Sequence, residues 1–184
     1  MKKVLVFVAV AVLVTALPAV AEIVDWNCAD DGDGAIVMNT PAWDEVAGEY
    51  YLTMNGTQHW FPAHVEGNFT TDTELDPIVW LIETVENQTA FDWTGYKINI
   101  GMTKNFSITG VIAPLGWTYV VNAPLSGQPI PNGGTGWLGG VEYTYGGPGT
   151  EIAIGDSGDF GLKLSFLGSV DFCTEQVPTP EPAT

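Results

Sequence analysis

The sequence predicts an all-β chain: an antiparallel β-sandwich, jelly-roll or Ig-like, of about nine or ten strands behind an N-terminal signal peptide. Three observations carry this expectation. Segment after segment alternates apolar and polar residues with a period of two. Glycine (22 residues) and proline (12 residues) recur throughout, which suits many short strands joined by turns and leaves little room for long helices. After the leader, no capped run of apolar residues at helical spacing occurs.

The leader is "MKKVLVFVAVAVLVTALPAVA". It sets Lys2 and Lys3 before an unbroken apolar run from Val4 to Val14 and ends on Ala19-Val20-Ala21, small residues suited to a cleavage site. That is the three-part layout of a secretory signal, with an apolar part short for a membrane span; the alternative is an uncleaved anchor. Removal of residues 1–21 is expected to leave one domain over residues 22–174 and a linker with a terminal tag over residues 175–184.

Within the domain, "YYLTMNGTQHW" (Tyr50–Trp60) places Asn55-Gly56 between runs of aromatic and β-branched residues. Asn-Gly accepts the positive φ of a tight turn, so a two-residue hairpin is expected there. "PIVWLIETVEN" (Pro77–Asn87) starts as a continuous apolar run and ends alternating, as a central strand reaching solvent does. In "YKINIGM", Tyr96, Ile98, Ile100 and Met102 share one face; in "FGLKLSF", Phe160, Leu162, Leu164 and Phe166 do. "VEYTY" alternates likewise, and "LSGQPIPNGGTG" (Leu125–Gly136) reads as the longest loop. Strands at this spacing without helices between them argue for two packed sheets, and the lack of an internal repeat argues against a propeller.

The formal net charge is −17 at pH 7, and the five basic residues are all lysines. So acidic a surface repels nucleic acid, anionic lipid and acidic polysaccharide. The lack of arginine removes the usual bidentate clamp for phosphate, so nucleotide-handling functions are excluded. Cys28 and Cys173, near the two ends of the mature chain, read as a disulfide in an exported protein; the alternative is two buried thiols.

Few residues gather into a chemical signature. "CADDGDGAI" sets Asp30, Asp31 and Asp33 on a glycine turn, a pattern that suits Ca²⁺ because that ion takes six to eight oxygen ligands from a flexible loop. The match is partial, since Ala29 stands where an acid is wanted, and the alternative is a solvated turn. His59 and His64 in "HWFPAH", if on one strand, face opposite ways and share no metal. No serine or cysteine sits in a nucleophile-elbow context and no tuned carboxylate pair stands out, so no enzymatic activity is expected. Trp80 and Trp93 fall in or beside core strands and are expected to pack there, whereas Trp117 and Trp137 adjoin glycines in turn-rich segments. Flat aromatics there permit glycan stacking, and the alternative is that they fill the core.

The chain ends on "VPTPEPAT", residues 177–184. With Pro180-Glu181-Pro182 at its centre, this resembles the start of the PEP-CTERM sorting signal of exported bacterial proteins. The resemblance implies recognition by an exosortase-type processing enzyme, in bacteria that build extracellular polysaccharide. It also implies an apolar helix and a basic cluster beyond the tag; both are missing from the chain as given, so the gene is expected to continue past Thr184. Membrane contact would run only through that missing helix. "ENQTAFDWTGYKINIG" is also similar to a stretch common in exported proteins of environmental bacteria, without an assigned role. The expectation is an exported, non-enzymatic surface or matrix protein, transiently membrane-anchored and associated with exopolysaccharide. The alternative is a secreted carbohydrate-binding module, with calcium as an optional aid.

Overall fold

A computed structural model describes residues 21–180. The leader expected over residues 1–21 therefore lies, save for Ala21, outside the described residues, as do Glu181 and Pro182 of the tag. Twelve strands follow in chain order: β1 (Ile23–Asp30), β2 (Ile36–Met38), β3 (Ala42–Val46), β4 (Glu49–Gln58), β5 (Ala63–Thr71) and β6 (Ile78–Asn87). The second half supplies β7 (Gly95–Met102), β8 (Phe106–Ile112), β9 (Thr118–Pro129), β10 (Thr135–Thr144), β11 (Ser157–Phe166) and β12 (Val170–Thr179). Among the described residues there is no helix.

Two sheets form. The first has the order β1-β5-β12-β7-β10-β9; the second has β2-β4-β6-β11-β8, with β3 also paired to β4. Alternation in the sequence decides which side chains meet between them. Along β6, Val79, Leu81, Glu83, Val85 and Asn87 are buried, while Ile78, Trp80, Ile82, Thr84 and Glu86 are partly exposed. Inward rings from both sheets interlock. Tyr96 of β7 stacks on Phe160 of β11 at 4.2 Å, and Phe69 of β5 lies 5.5 Å from Phe166 of β11. These contacts join the layers into the sandwich that the period-two pattern predicts.

The structure corrects the expected details. Among the described residues there are twelve strands rather than nine or ten, because β2 and β3 are too short to stand out; much of the expected Leu125–Gly136 loop is also strand. Leu125–Pro129 belongs to β9, which pairs with β10 around a turn at 130–134. As an edge strand β9 tolerates Pro124 and Pro129, since one side of its backbone needs no partner. Pairing is not antiparallel throughout. From β4 the chain crosses to β5 in the first sheet and returns to β6 in the second, so β6 runs parallel to β4.

Asn55 and Gly56 form no turn. Both lie within β4, with Gly56 opposite Met38 of β2 on one side and Val85 of β6 on the other. Gly56 leaves room for the Ile36 side chain, which would stand 3.0 Å from a Cβ at that position. Two strand neighbours and a buried isoleucine thus outweigh a local turn preference. The two-residue hairpin is instead Ala47-Gly48 between β3 and β4, with φ of 55° and 80° at these residues.

The expected Cys28–Cys173 disulfide is absent; both thiols are free. β5 separates β1 from β12, so the two backbones stand about 9–10 Å apart, beyond the reach of a bridge. The side chains also face opposite ways. Cys28 points into the core with its Sγ 3.3 Å from Met54 Sδ, while Cys173 faces outward, its Sγ directed at the Gly101 carbonyl. Burial pushes the Cys28 thiol up to about 12.

Candidate functional site

The acidic turn between β1 and β2 is built by its own aspartates. Asp30 accepts hydrogen bonds from the Gly32 amide through Oδ1 and the Met38 amide through Oδ2, both at 3.0 Å. Asp31 accepts from the Asp33 amide, and Asp33 from the Ala35 amide. Gly32 and Gly34 take positive φ, which lets the chain reverse this tightly. The expected trio is not brought together. Asp30 spends both oxygens on the backbone, and the group that converges is Asp31, Asp33 and His64, one ligand atom of each within 4.8 Å of the others. His64 Nδ1 lies 3.3 Å from Asp31 Oδ2, and Nε2 lies 3.9 Å from Glu175 Oε2. An imidazole in the set moves its preference away from calcium toward metals that accept nitrogen. His59 and His64 do not share a strand: β4 ends at Gln58, His59 follows it, and His64 lies on β5.

At the C-terminus, β12 continues through Glu175–Thr179, residues expected to be linker, and Val177, Pro178 and Thr179 pair with Lys97, Tyr96 and Gly95 of β7. Pro178 has no backbone N–H to give a sheet. It is accommodated because β5 starts only at Ala63, opposite Gln176, so beyond that point β12 has a strand on one side alone. The Thr179 carbonyl accepts the Thr94 amide at 3.0 Å, and pairing stops there. Pro180 is exposed beside a hollow of about 430 Å³ lined by Tyr96, Lys97, Glu142 and Tyr145.

Of the two tryptophans for which glycan stacking or core filling was open, both turn toward the core. Trp117 is only 7% exposed, donates through Nε1 to the Thr150 carbonyl and meets Phe160 edge-on. Trp137 is partly buried on β10 and packs against the core. Trp93 is fully buried, as expected, and donates to the Thr89 hydroxyl at 2.9 Å, whereas Trp80, also expected in the core, is on the outward face of β6 because the alternation there turns Val79 and Leu81 inward. The motif around it has a structural role: buried Asn87 donates to the Phe91 and Ile152 carbonyls and accepts from the Thr89 amide and hydroxyl, locking the β6–β7 connection.

Two features that the sequence analysis missed lie on the two faces of the second sheet. On the inner face Glu83 is buried, and Gln176 donates to its Oε2 at 2.7 Å. Tyr96 donates its hydroxyl proton toward Gln58 and Gln176 nearby. Burial, with no basic group alongside, pushes the Glu83 carboxyl up to about 8, so it is chiefly protonated at neutral pH. On the outer face, Asp44, Tyr51, Trp80, Lys163 and Gly110 are register partners across five strands, forming one row. The Tyr51 and Trp80 rings are 6.4 Å apart with planes within 14° of each other. Glu49 ties the row together, accepting from Lys163 Nζ at 2.7 Å and Trp80 Nε1 at 3.1 Å. Those hydrogen bonds, that from Lys163 foremost, hold its carboxyl below the usual range. The row is legible only once the register is known, because its members come from five separate segments.

Comparison of the chain with protein-family models, curated proteins and solved structures finds no match. Among the described residues, no helix is long and apolar enough to cross a membrane.

Proposed function

We propose that this is an exported, non-enzymatic protein of the cell surface or extracellular matrix, sorted through a PEP-CTERM and exosortase-type route and associated with extracellular polysaccharide. The observation that carries the reading is the position of the tag. Among the described residues strand pairing ends at Thr179 and Pro180 is exposed, and the sequence runs on directly into Glu181-Pro182. Proline withholds backbone donors, so a Pro-Glu-Pro sequence suits a handle for a processing enzyme better than the middle of a sheet. The acidic chain fits a soluble, hydrated surface protein.

Intact-mass analysis of the protein recovered from the producing cell's surface fraction tests this. The expected mature chain starts near Glu22 and ends at or close to the tag, and alanine at Pro180, Glu181 and Pro182 together prevents its arrival at the surface. A cytoplasmic protein that retains Met1, or unchanged sorting of the triple variant, contradicts the reading.

A second reading, a secreted carbohydrate-binding module, is favoured by one observation: the paired Tyr51 and Trp80 rings on an outward sheet face. These rings suit glycan stacking better than Trp117 and Trp137, which turn toward the core.

A further inference from the structure

We propose that the outward face of the second sheet is a binding site for a neutral linear polysaccharide, with Tyr51 and Trp80 as its stacking surfaces. This deepens the polysaccharide association proposed above by naming the surface and the class of polymer.

The indole of Trp80 lies across the sheet instead of standing off it. It starts on β6, carries the Lys163 amine of β11 over the ring at 5.5 Å from the centroid, so that part of one face is shared with that cation, and reaches β8, where a Cβ on Gly110 would stand 3.0 Å from its Cη2. A side chain at 110 would crowd the ring and the Lys163 stem, so glycine suits that floor. Glu49 holds the indole from the β4 side through Nε1. The ring is thereby fixed in one orientation, which lowers the ordering cost of stacking a ligand on it. Tyr51 repeats the orientation one strand away. Beyond Tyr51 lies a shallow, mainly apolar hollow of about 370 Å³ lined by Ala42, Val46 and Thr53.

The row from Asp44 to Gly110 crosses five strands, so it is about 19 Å long at ordinary strand spacing. That length suits a short run of sugar rings. The apolar faces of pyranose rings pack on aromatic planes, and Lys163 and Glu49 beside them offer a donor and an acceptor for hydroxyl groups. Charge selects among polymers. Lys163 is paired with Glu49, Asp44 is left over, and the chain carries −17, so a uronic or sulfated polymer is repelled. A second copy of the chain would set two acidic faces against each other, which disfavours self-association as the face's use.

Affinity electrophoresis of the full chain in native gels containing soluble β-glucan, xylan or galactomannan, with alginate as the acidic control, tests the proposal. Retardation is expected in at least one neutral gel and none in alginate. Trp80→Ala is expected to weaken binding at least tenfold and Tyr51→Ala severalfold, while Trp60→Ala, which removes an exposed ring elsewhere, leaves it unchanged. Gly110→Val keeps the indole but displaces it, and should weaken binding like Trp80→Ala; thermal melts establish that each variant is folded. Wild-type mobility unaffected by every neutral polymer, retardation by alginate alone, or undiminished binding in folded Trp80→Ala and Gly110→Val overturns the inference. So does a concentration-dependent dimer lost in Trp80→Ala without any polysaccharide binding. A chain that reaches the surface with a processed tag yet ignores all three polymers defeats this inference and leaves the export reading standing.

Discussion

Glu49 and Glu83 stand on opposite faces of the same sheet, and their carboxyls are driven in opposite directions. Glu49, on the outer face, is held below the usual range, first by the hydrogen bond from Lys163 and then by that from Trp80. Glu83, on the inner face, has amides and hydroxyls around it but no cation, and burial raises it from 4.5 to about 8. One glutamate is thus an ionised anchor for a surface ring and the other a protonated member of the core. The two faces differ in what surrounds the carboxyl: the inner one holds the layers together at some electrostatic cost, and the outer one holds a pair of half-buried rings beside an ion pair.

The largest effect should come from removing the inner acid. Because the folded-state value of Glu83 lies above the unfolded one, its favourable contribution is complete below about pH 4.5 and is lost as pH rises toward about 8. At roughly 1.4 kcal/mol per pKa unit the loss is on the order of 5 kcal/mol. Glu83→Gln keeps the shape and the partner at Gln176, so denaturant unfolding across pH 5–9 should show a variant that overtakes wild type as pH rises. Parallel stability curves would mean that Glu83 finds a compensating partner in solution.

The fold class was legible because it depends on local alternation: β6, β7 and β11 bury the alternate residues that their sequences mark. What was not legible depends on which strands become neighbours. Asn55-Gly56 carries a turn signal that the flanking β2 and β6 override, while Ala47-Gly48, with no asparagine or aspartate, makes the turn. Cys28 and Cys173 are near opposite ends of the chain, which invites a bridge, but one intervening strand and opposite facing remove it. Of the candidate metal ligands, Asp31 and Asp33 were recognisable from their spacing, but His64 joins them only through the β1–β5 pairing.

Next in size is the contrast between rings of the two faces. Phe160 is fully buried against Tyr96, Trp117 and Tyr143, so Phe160→Ala should cost about 3–5 kcal/mol. Trp80 is half-buried on the outer face, and Trp80→Ala should cost roughly 1–2 kcal/mol. Equal losses in chemical denaturation would show that the outer ring is a core element after all.

The thiols sharpen the same contrast from the first sheet. Mass analysis after alkylation under denaturing conditions should find both Cys28 and Cys173 free. In the native protein at pH 8, alkylation should be at least about tenfold slower than in the unfolded chain, because burial raises both thiols. A mass lower by two hydrogens in the non-reduced protein would restore the disulfide.

The smallest effect belongs to the outer ion pair. Lys163→Met should change stability by less than about 1 kcal/mol, since the pair with Glu49 is partly exposed. A larger loss would assign the row a structural role.

The division of labour between the two faces is tested most directly by running wild type, Trp80→Ala and Glu83→Gln side by side at pH 7 in the neutral polysaccharide gel that retards wild type most. Glu83→Gln should bind as wild type does while melting at a higher temperature, and Trp80→Ala should migrate freely while remaining folded. Equal retardation of all three, or loss of binding in Glu83→Gln with Trp80→Ala unaffected, would contradict it.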